Sequence, residues 1–298
     1  MIAVVGAGAI GGLLAAELVA LGHEVTLCAR RPLARLRVQR ESAPRDVPVR
    51  TVTEPGKAGA AAWVVVALKG QDSAAAAPWL DALGGPETIV VGVQNGVEHR
   101  SNLGADVLPA LAYTAVQRVS DGVLHHSSGD RLIVPAQERG EAFAALFAGG
   151  ALRVELAEDF LTAAWQKLLA NLAGNPLTAL TLGRASVLRT GGLRELARGL
   201  LLEGAAVGRA EGAALSDDDI VRTLAFYDAL PPDTGSSMLF DRLAGRPLEH
   251  QGLTGAVVRA ADAHGLDVPL NRAILALLEG LSAAAGSRSA APPGPPPR

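Results

Sequence analysis

The sequence predicts an α/β fold: a doubly wound, mainly parallel N-terminal sheet with an antiparallel extension, followed by an all-helical C-terminal domain. Three observations predict it. Short apolar runs alternate with helical stretches through residues 1–93. A glycine-rich turn joins the first run to the first helix. From about Asp159 onward the β-rich runs vanish and helical periodicity takes over.

Each element has its own warrant. Residues 1–5 (MIAVV) form an apolar run ending at Gly6, as a parallel strand buried on both faces should. Ala9 to Leu21 repeats apolar residues at helical spacing, and Gly22 follows as a stop signal. Glu24 to Ala29, Ala62 to Leu68 and Thr88 to Val93 are further apolar, β-rich runs, with a helical stretch from Asp72 to Leu83. Alternation at this spacing argues for parallel strands with helices on both faces. Leu111–Val119, Val123–Ser127 and Arg131–Val134 are separated by Asp121-Gly122 and Gly129-Asp130, which predicts an antiparallel meander. Helices are predicted over Phe160–Leu180, Leu193–Glu211, Asp217–Leu230, Gly252–His264 and Arg272–Ala285. The expected domains are 1–157 and 158–285, and the Pro-rich segment 286–298 is expected to be a disordered tail.

Composition narrows the function. With 298 residues, and about 150 per domain, two domains are expected. Hydrophobic residues at 49% against 19% charged exclude a disordered chain. A net charge of −3 leaves no broad basic field for nucleic acid or an anionic membrane. One cysteine, Cys28, excludes an intramolecular disulfide and fits a reducing compartment. The histidines show no metal-ligand spacing. Met1 leads directly into an apolar run without a basic leader, and the longest apolar stretches fall short of a bilayer span. A cytoplasmic protein is expected.

Gly6-Ala7-Gly8-Ala9-Ile10-Gly11 is a G-x-G-x-x-G run between a strand and a helix, the context a dinucleotide needs. Gly6 permits the tight turn, Gly8 lets a pyrophosphate approach the backbone, and Gly11 lets the helix lie close to the sheet. The helix N-terminus offers free N–H groups to phosphates. These features predict a Rossmann-type domain. Where the second strand ends, an NAD site usually carries a carboxylate for the ribose 2′-OH. This chain has Arg30-Arg31 instead. A guanidinium binds a 2′-phosphate bidentately, so NADPH is expected, with Arg30 the better placed because Arg31 precedes Pro32. The bland alternative is a pair of solvated loop arginines.

Residues 163–176 are apolar apart from Gln166, Lys167, Asn171 and Asn175. The last three are spaced i, i+4, i+8 and share one helix face. Either that stripe faces water or it lines a polar cleft. One lysine with two amides suits a site for a polar small molecule. Gly235-Ser236-Ser237-Met238 and Glu249 form a second feature that, alone, reads as caps and surface charge.

Together these features resemble the ketopantoate reductase (2-dehydropantoate 2-reductase) family from Met1 to about Leu278. The resemblance rests on GAGAIGG at Gly6, Leu68-Lys69, Gln94-Asn95-Gly96, Trp165-x-Lys167-x₃-Asn171-x₃-Asn175-Pro176-Leu177-Thr178, Ser236-Ser237-Met238 and Glu249. It implies an NADPH-dependent reduction of a 2-oxo acid, first of all ketopantoate to pantoate, in pantothenate biosynthesis on the route to coenzyme A. It implies an active site between the two domains. It implies that Lys167 is the general acid and that Glu249 orients it or binds the substrate hydroxyl. It implies that Asn95 meets both the nicotinamide end and the substrate. Asn171, Asn175 and Ser237 would hold the substrate, and Lys69 would lie near the cofactor's ribose and phosphates. Where relatives often read Glu-x-Asp-Tyr-x-Asn-Gly, this chain has Gly252 for the tyrosine and Thr254 for the asparagine, which alters the pocket wall. A related 2-hydroxyacid dehydrogenase with another 2-oxo acid is the nearest alternative, and a non-catalytic NADP(H) sensor the alternative from a different class. No nucleic-acid, membrane or metal partner is expected, and monomer and homodimer both stay open.

Overall fold

A computed structural model describes residues 1–33, 35–40 and 44–290. Its internal contacts divide the chain into two compact units, Met1–Ala163 and Ala164–Arg298. In chain order the first holds β1 (Ile2–Val5), α1 (Ala9–Ala20), β2 (Val25–Cys28), β3 (Arg35–Gln39), β4 (Arg45–Pro48), β5 (Arg50–Val52), β6 (Trp63–Val66), α2 (Ala77–Leu83), β7 (Ile89–Val93), α3 (His99–Leu103), β8 (Leu108–Ser120), β9 (Val123–Pro135), α4 (Glu138–Ala145) and β10 (Arg153–Ala157).

The sheet runs β4-β3-β9-β8-β7-β6-β1-β2-β5, with β10 also beside β9. From β5 through β8 every pairing is parallel. β8 and β9 pair antiparallel, as do β3 and β4. Along β1 the side chains alternate between two cores. Ile2 and Val4 join Leu13, Leu14 and Leu18 of α1 on one face, while Ala3 and Val5 join Val64, Val66 and Leu83 on the other. Burial on both faces is why the parallel strands are written as unbroken apolar runs. Because β1 lies between β2 and β6, the strand order reverses at its C-terminal end, where open α/β sheets bind ligands. Gly6–Gly11 follows β1 there.

The antiparallel extension is a hairpin of two 13-residue strands, β8 and β9, rather than a three-run meander. Asp121-Gly122 does turn the chain, whereas Gly129 lies within β9 at φ +77°. It sits beside a register shift between Tyr113 and Ala115, and a Cβ there would run into the Tyr113 carbonyl oxygen. A glycine at positive φ thus makes a bulge that bends the strand without ending it. The stretch from Asp72 to Leu83 also differs: it is a 3₁₀ segment, Gly70–Ala76, leading into α2. β3, β4, β5, α3, α4 and β10 fall outside the predicted elements.

The second unit is all-helical: α5 (Phe160–Thr181, its first turn in the first unit), α6 (Gly191–Ala210), α7 (Asp217–Ala229), α8 (Ser237–Leu243), α9 (Thr254–His264) and α10 (Pro269–Ala290). α8 and a 3₁₀ segment, Ala185–Arg189, fall outside the predicted helices; α8 is short, and Ser236 caps it by accepting the Leu239 N–H (3.0 Å). Ser216 and Asp219 close a capping box at the start of α7. α10 continues to Ala290, beyond the expected end at Ala285, because the first prolines of the tail come only at Pro292 and Pro293. The remainder of the expected tail, 291–298, lies outside the described residues. Among the described residues no helix is long and apolar enough to cross a membrane, and no group of acidic, His or Cys side chains could hold a metal ion.

Candidate active site

The nucleotide turn is built by steric necessity. Gly6 sits at φ +110°, and a Cβ on it would lie 2.9 Å from both the Ala67 carbonyl oxygen and Leu68 Cδ2. A Cβ on Gly11 would run into the Gly6 carbonyl oxygen. It would also lie 3.1 Å from Ala67 Cβ just past β6, so Gly11 lets α1 lie close to the sheet as expected, and Gly12 does the same toward β9, where a Cβ would meet Leu124 at 2.9 Å. Gly8 is different. It caps α1 in an extended conformation (φ −75°, ψ −169°), and a Cβ on it would touch nothing within 4 Å. Its lack of a side chain serves no internal packing and leaves the backbone open to a ligand. Ala7, Ala9 and Ile10 are partly exposed along the same turn.

Arg30 and Arg31 part company at the end of β2. Arg31 pairs with Asp121 (3.2 Å), while Arg30 is exposed and makes no ion pair with another described residue.

Lys69 and Asn95 are brought near each other by Gln94. Gln94 is buried, its amide donating to the Leu68 carbonyl (3.1 Å) and to Ser73 Oγ (2.8 Å). Its Oε1 accepts from Asn102 (3.2 Å), and its carbonyl lies 3.0 Å from His99 Nε2. The loop after β7, carrying Asn95 and the turn at Gly96 (φ +93°), is thus bolted to the loop after β6, carrying Lys69. The sequence carries a signal for this role: a polar amide closing an apolar strand must find partners if it is buried.

In the second unit, Trp165 fixes how α5 sits. It is fully buried, and a Cβ on Gly208 of α6 would lie 2.9 Å from its ring. Gly204, one turn earlier, receives Leu172. Gln166 donates to Asp219 of α7 (2.9 Å). Lys167 is buried at 8% exposure, and Asn175 at 6%. Desolvation pulls the Lys167 ammonium down to about 8, against the opposing charge of Glu249, itself buried. The structure therefore brings Lys167 and Glu249 together across 82 positions of chain. Neither the partly exposed Asn171 nor the buried Asn175 hydrogen-bonds another described residue through its carboxamide, which leaves both amides open to a ligand. Ser237 is exposed at the first turn of α8. Its neighbour Ser236 hydrogen-bonds Thr178 of α5 (2.7 Å), which holds the serine pair against the C-terminal half of the lysine helix.

These groups can do defined chemistry. A buried ammonium near neutrality is a proton donor, a neighbouring carboxylate keeps it charged, and unpaired amides bind a polar substrate.

Comparison with known proteins gives the same direction. The family model described as Ketopantoate reductase PanE/ApbA matches residues 2–138, and its C-terminal counterpart matches residues 159–282. A 2-dehydropantoate 2-reductase of Caulobacter vibrioides is 40% identical over 283 residues, covering 93% of this chain and 97% of that one. One from Mycobacterium tuberculosis is 37% identical over 289 residues, covering 94% and 97%. The solved structure of a dimeric ketopantoate reductase from Staphylococcus aureus superposes with a TM-score of 0.88 at 27% identity, covering 96% of this chain and 99% of that chain. The chain belongs to the ketopantoate reductase family, a family of oxidoreductases acting on CH–OH groups.

Proposed function

We propose that this protein uses NADPH to reduce a 2-oxo acid to the 2-hydroxy acid, with 2-dehydropantoate (ketopantoate) the substrate and pantoate the product. The observation that carries the reading is the α5 stripe: a buried lysine held charged by Glu249, in line with two carboxamides that have no partner among the described residues.

The residues of the first unit fit a phosphorylated dinucleotide. The open backbone at Gly8, in the turn Gly6–Gly11, suits a pyrophosphate, and the exposed Arg30 suits a 2′-phosphate. Lys69 attends the ribose and phosphates, and Asn95 the nicotinamide end and the substrate. Bound there, the dinucleotide supplies the hydride.

The chain's own residues do the rest. Ser237 and Asn171 bind the substrate carboxylate, and Asn175 and Asn95 orient the ketone. Negative charge develops on the ketone oxygen in the transition state, where the Lys167 ammonium stabilises it and then gives up its proton. Glu249 favours the protonated ammonium, and either orients it or binds the substrate's terminal hydroxyl. The product leaves Lys167 neutral, to be recharged from solvent. We place the reaction in pantothenate biosynthesis, in the cytoplasm, in a monomer or a homodimer like the S. aureus relative.

One observation favours a different 2-oxo acid. A Cβ on Gly252 would meet only Glu249 Cγ, at 3.9 Å, so space is open beside the carboxylate where relatives often carry tyrosine. Thr254 is fully buried with its hydroxyl unpartnered. NADPH and NADH oxidation across a panel of 2-oxo acids tests both readings. Ketopantoate with NADPH is expected to give the highest kcat/KM. A bulkier acid outpacing it supports the second reading, and no turnover with any acid, despite NADPH binding, supports a sensor.

A further inference from the structure

The stripe Lys167–Asn171–Asn175 runs along a helix into which another side chain is wedged. Tyr227 of α7 is 1% exposed. Its hydroxyl donates to the Ala170 carbonyl (2.9 Å), with the Leu169 carbonyl at 3.4 Å, and accepts from the Gly174 N–H (3.2 Å). In a regular α-helix those two groups, Ala170 C=O and Gly174 N–H, close one rung between themselves. A side chain seated on a rung bends the helix locally.

The surroundings are fitted to that hydroxyl. Gly174 has no Cβ, and one added there would press to 3.3 Å from Tyr227 Cε1. Pro176, two residues on, has no N–H, so the Leu172 carbonyl lacks its ladder partner. The carrier of the hydroxyl is itself anchored. Arg189 donates to the Tyr227 carbonyl (3.3 Å), and Arg194 bonds the Leu224 carbonyl (3.1 Å) and Asp228 (2.6 Å). α7 therefore grips α5 twice, at Gln166 through Asp219 and at the Ala170–Gly174 step through Tyr227. Lys167 lies between the grips, and Asn175 lies just past the second.

We infer that Tyr227 is a positioning residue: its hydroxyl, seated on the Ala170–Gly174 rung, sets the bearing of Lys167 relative to Asn175. The inference rests on the proposed reductase reading for its kinetic consequence, though not for its geometric one. Without the oxygen the rung closes on itself, and the two halves of the stripe turn relative to each other.

The test compares wild type with Tyr227→Phe in two measurements. One is steady-state kinetics with ketopantoate and NADPH. The other is the titration of Lys167 followed by NMR of ¹³Cε-labelled lysine, assigned with Lys167→Met. Misplacement of this kind is expected to lower kcat about 10- to 100-fold, with KM for NADPH unchanged. The Lys167 titration is expected to move by on the order of half a pH unit, since its burial and its approach to Glu249 both change. Gly174→Ala, which only presses on the ring, should shift both readings in the same direction and less, and it carries the test if Tyr227→Phe does not fold. Wild-type kcat and an unmoved titration, with only the melting temperature lowered, overturn the inference. If wild type reduces no 2-oxo acid, the functional reading fails, and the titration alone still decides for or against the wedge.

Discussion

A buried ammonium should leave a mark on stability that can be measured without any substrate. Lys167 ionises at about 8 in the folded chain against an ordinary 10.5. The difference corresponds to roughly 3 kcal/mol of penalty on the charged form, at about 1.36 kcal/mol per pH unit. The sign follows from proton counting. Below pH 8 both folded and unfolded chains hold the proton, and the penalty is present in full. Between 8 and 10.5 the unfolded chain holds it and the folded chain does not, so stability rises with pH. The perturbation is the double variant Lys167→Met/Glu249→Gln, which removes both buried charges. The assay is urea unfolding at pH 7, 8, 9 and 10, with ΔG taken by linear extrapolation. Wild type is expected to gain about 2–3 kcal/mol relative to the variant between pH 7 and 10. Burial also pushes the Cys28 thiol up to about 12, which lowers stability as pH climbs above its ordinary 9.0. That contribution is common to both proteins and cancels in the difference. Parallel curves would refute the reasoning, because Lys167 would then ionise in the folded chain as it does unfolded.

Three more expectations follow from the same geometry. Gly8→Ala should leave the melting temperature unchanged, since a Cβ there meets nothing, yet weaken NADPH binding at least about tenfold in a fluorescence titration; equal affinity would mean that no phosphate passes that backbone. Arg30→Ala should raise the Kd for NADPH about 10- to 100-fold, the worth of a charge-assisted hydrogen bond, while NADH binding stays within about twofold; equal loss for both cofactors counts against a 2′-phosphate contact. Glu249→Gln removes the charge that props up the Lys167 ammonium, so the alkaline limb of the kcat–pH profile should move down by about 1–3 units, and an unmoved limb would detach Glu249 from the lysine.

Much of the fold is legible because its core elements obey one period each. β1, β2, β6 and β7 are apolar on both faces, and α1 follows its glycine turn directly. The strands outside the predicted set are short, half-exposed and rich in charge. β3 reads Arg35-Leu36-Arg37-Val38-Gln39, and only Leu36 and Val38 are buried. Its period-2 signal is real, but it is short and interleaved with arginines. β10, Arg153–Ala157, is similarly masked. Gly129 misleads for another reason: a glycine at positive φ serves a turn and a bulge alike, and only the partner strand decides between them. In the candidate site, the i, i+4, i+8 spacing exposes Lys167, Asn171 and Asn175 because polar groups on an apolar helix demand an explanation. The groups that hold this stripe, and those that hold the Lys69 and Asn95 loops of the first unit, are hidden because their partners are distant in sequence. Gln94 needs Ser73 and Asn102, Gln166 needs Asp219, and Tyr227 needs Gly174. The pairing of Lys167 with Glu249 is legible only through the family resemblance, since no spacing rule links them.

The most direct measurement of the central claim is the initial rate of NADPH oxidation with ketopantoate by wild type and Lys167→Ala, with NADPH affinity determined for both. The account predicts turnover by wild type, a kcat about 10²- to 10⁴-fold lower in the variant, and NADPH affinity within about twofold. A variant that turns over at nearly the wild-type rate would contradict it, because the proton would then come from somewhere other than the buried lysine of α5.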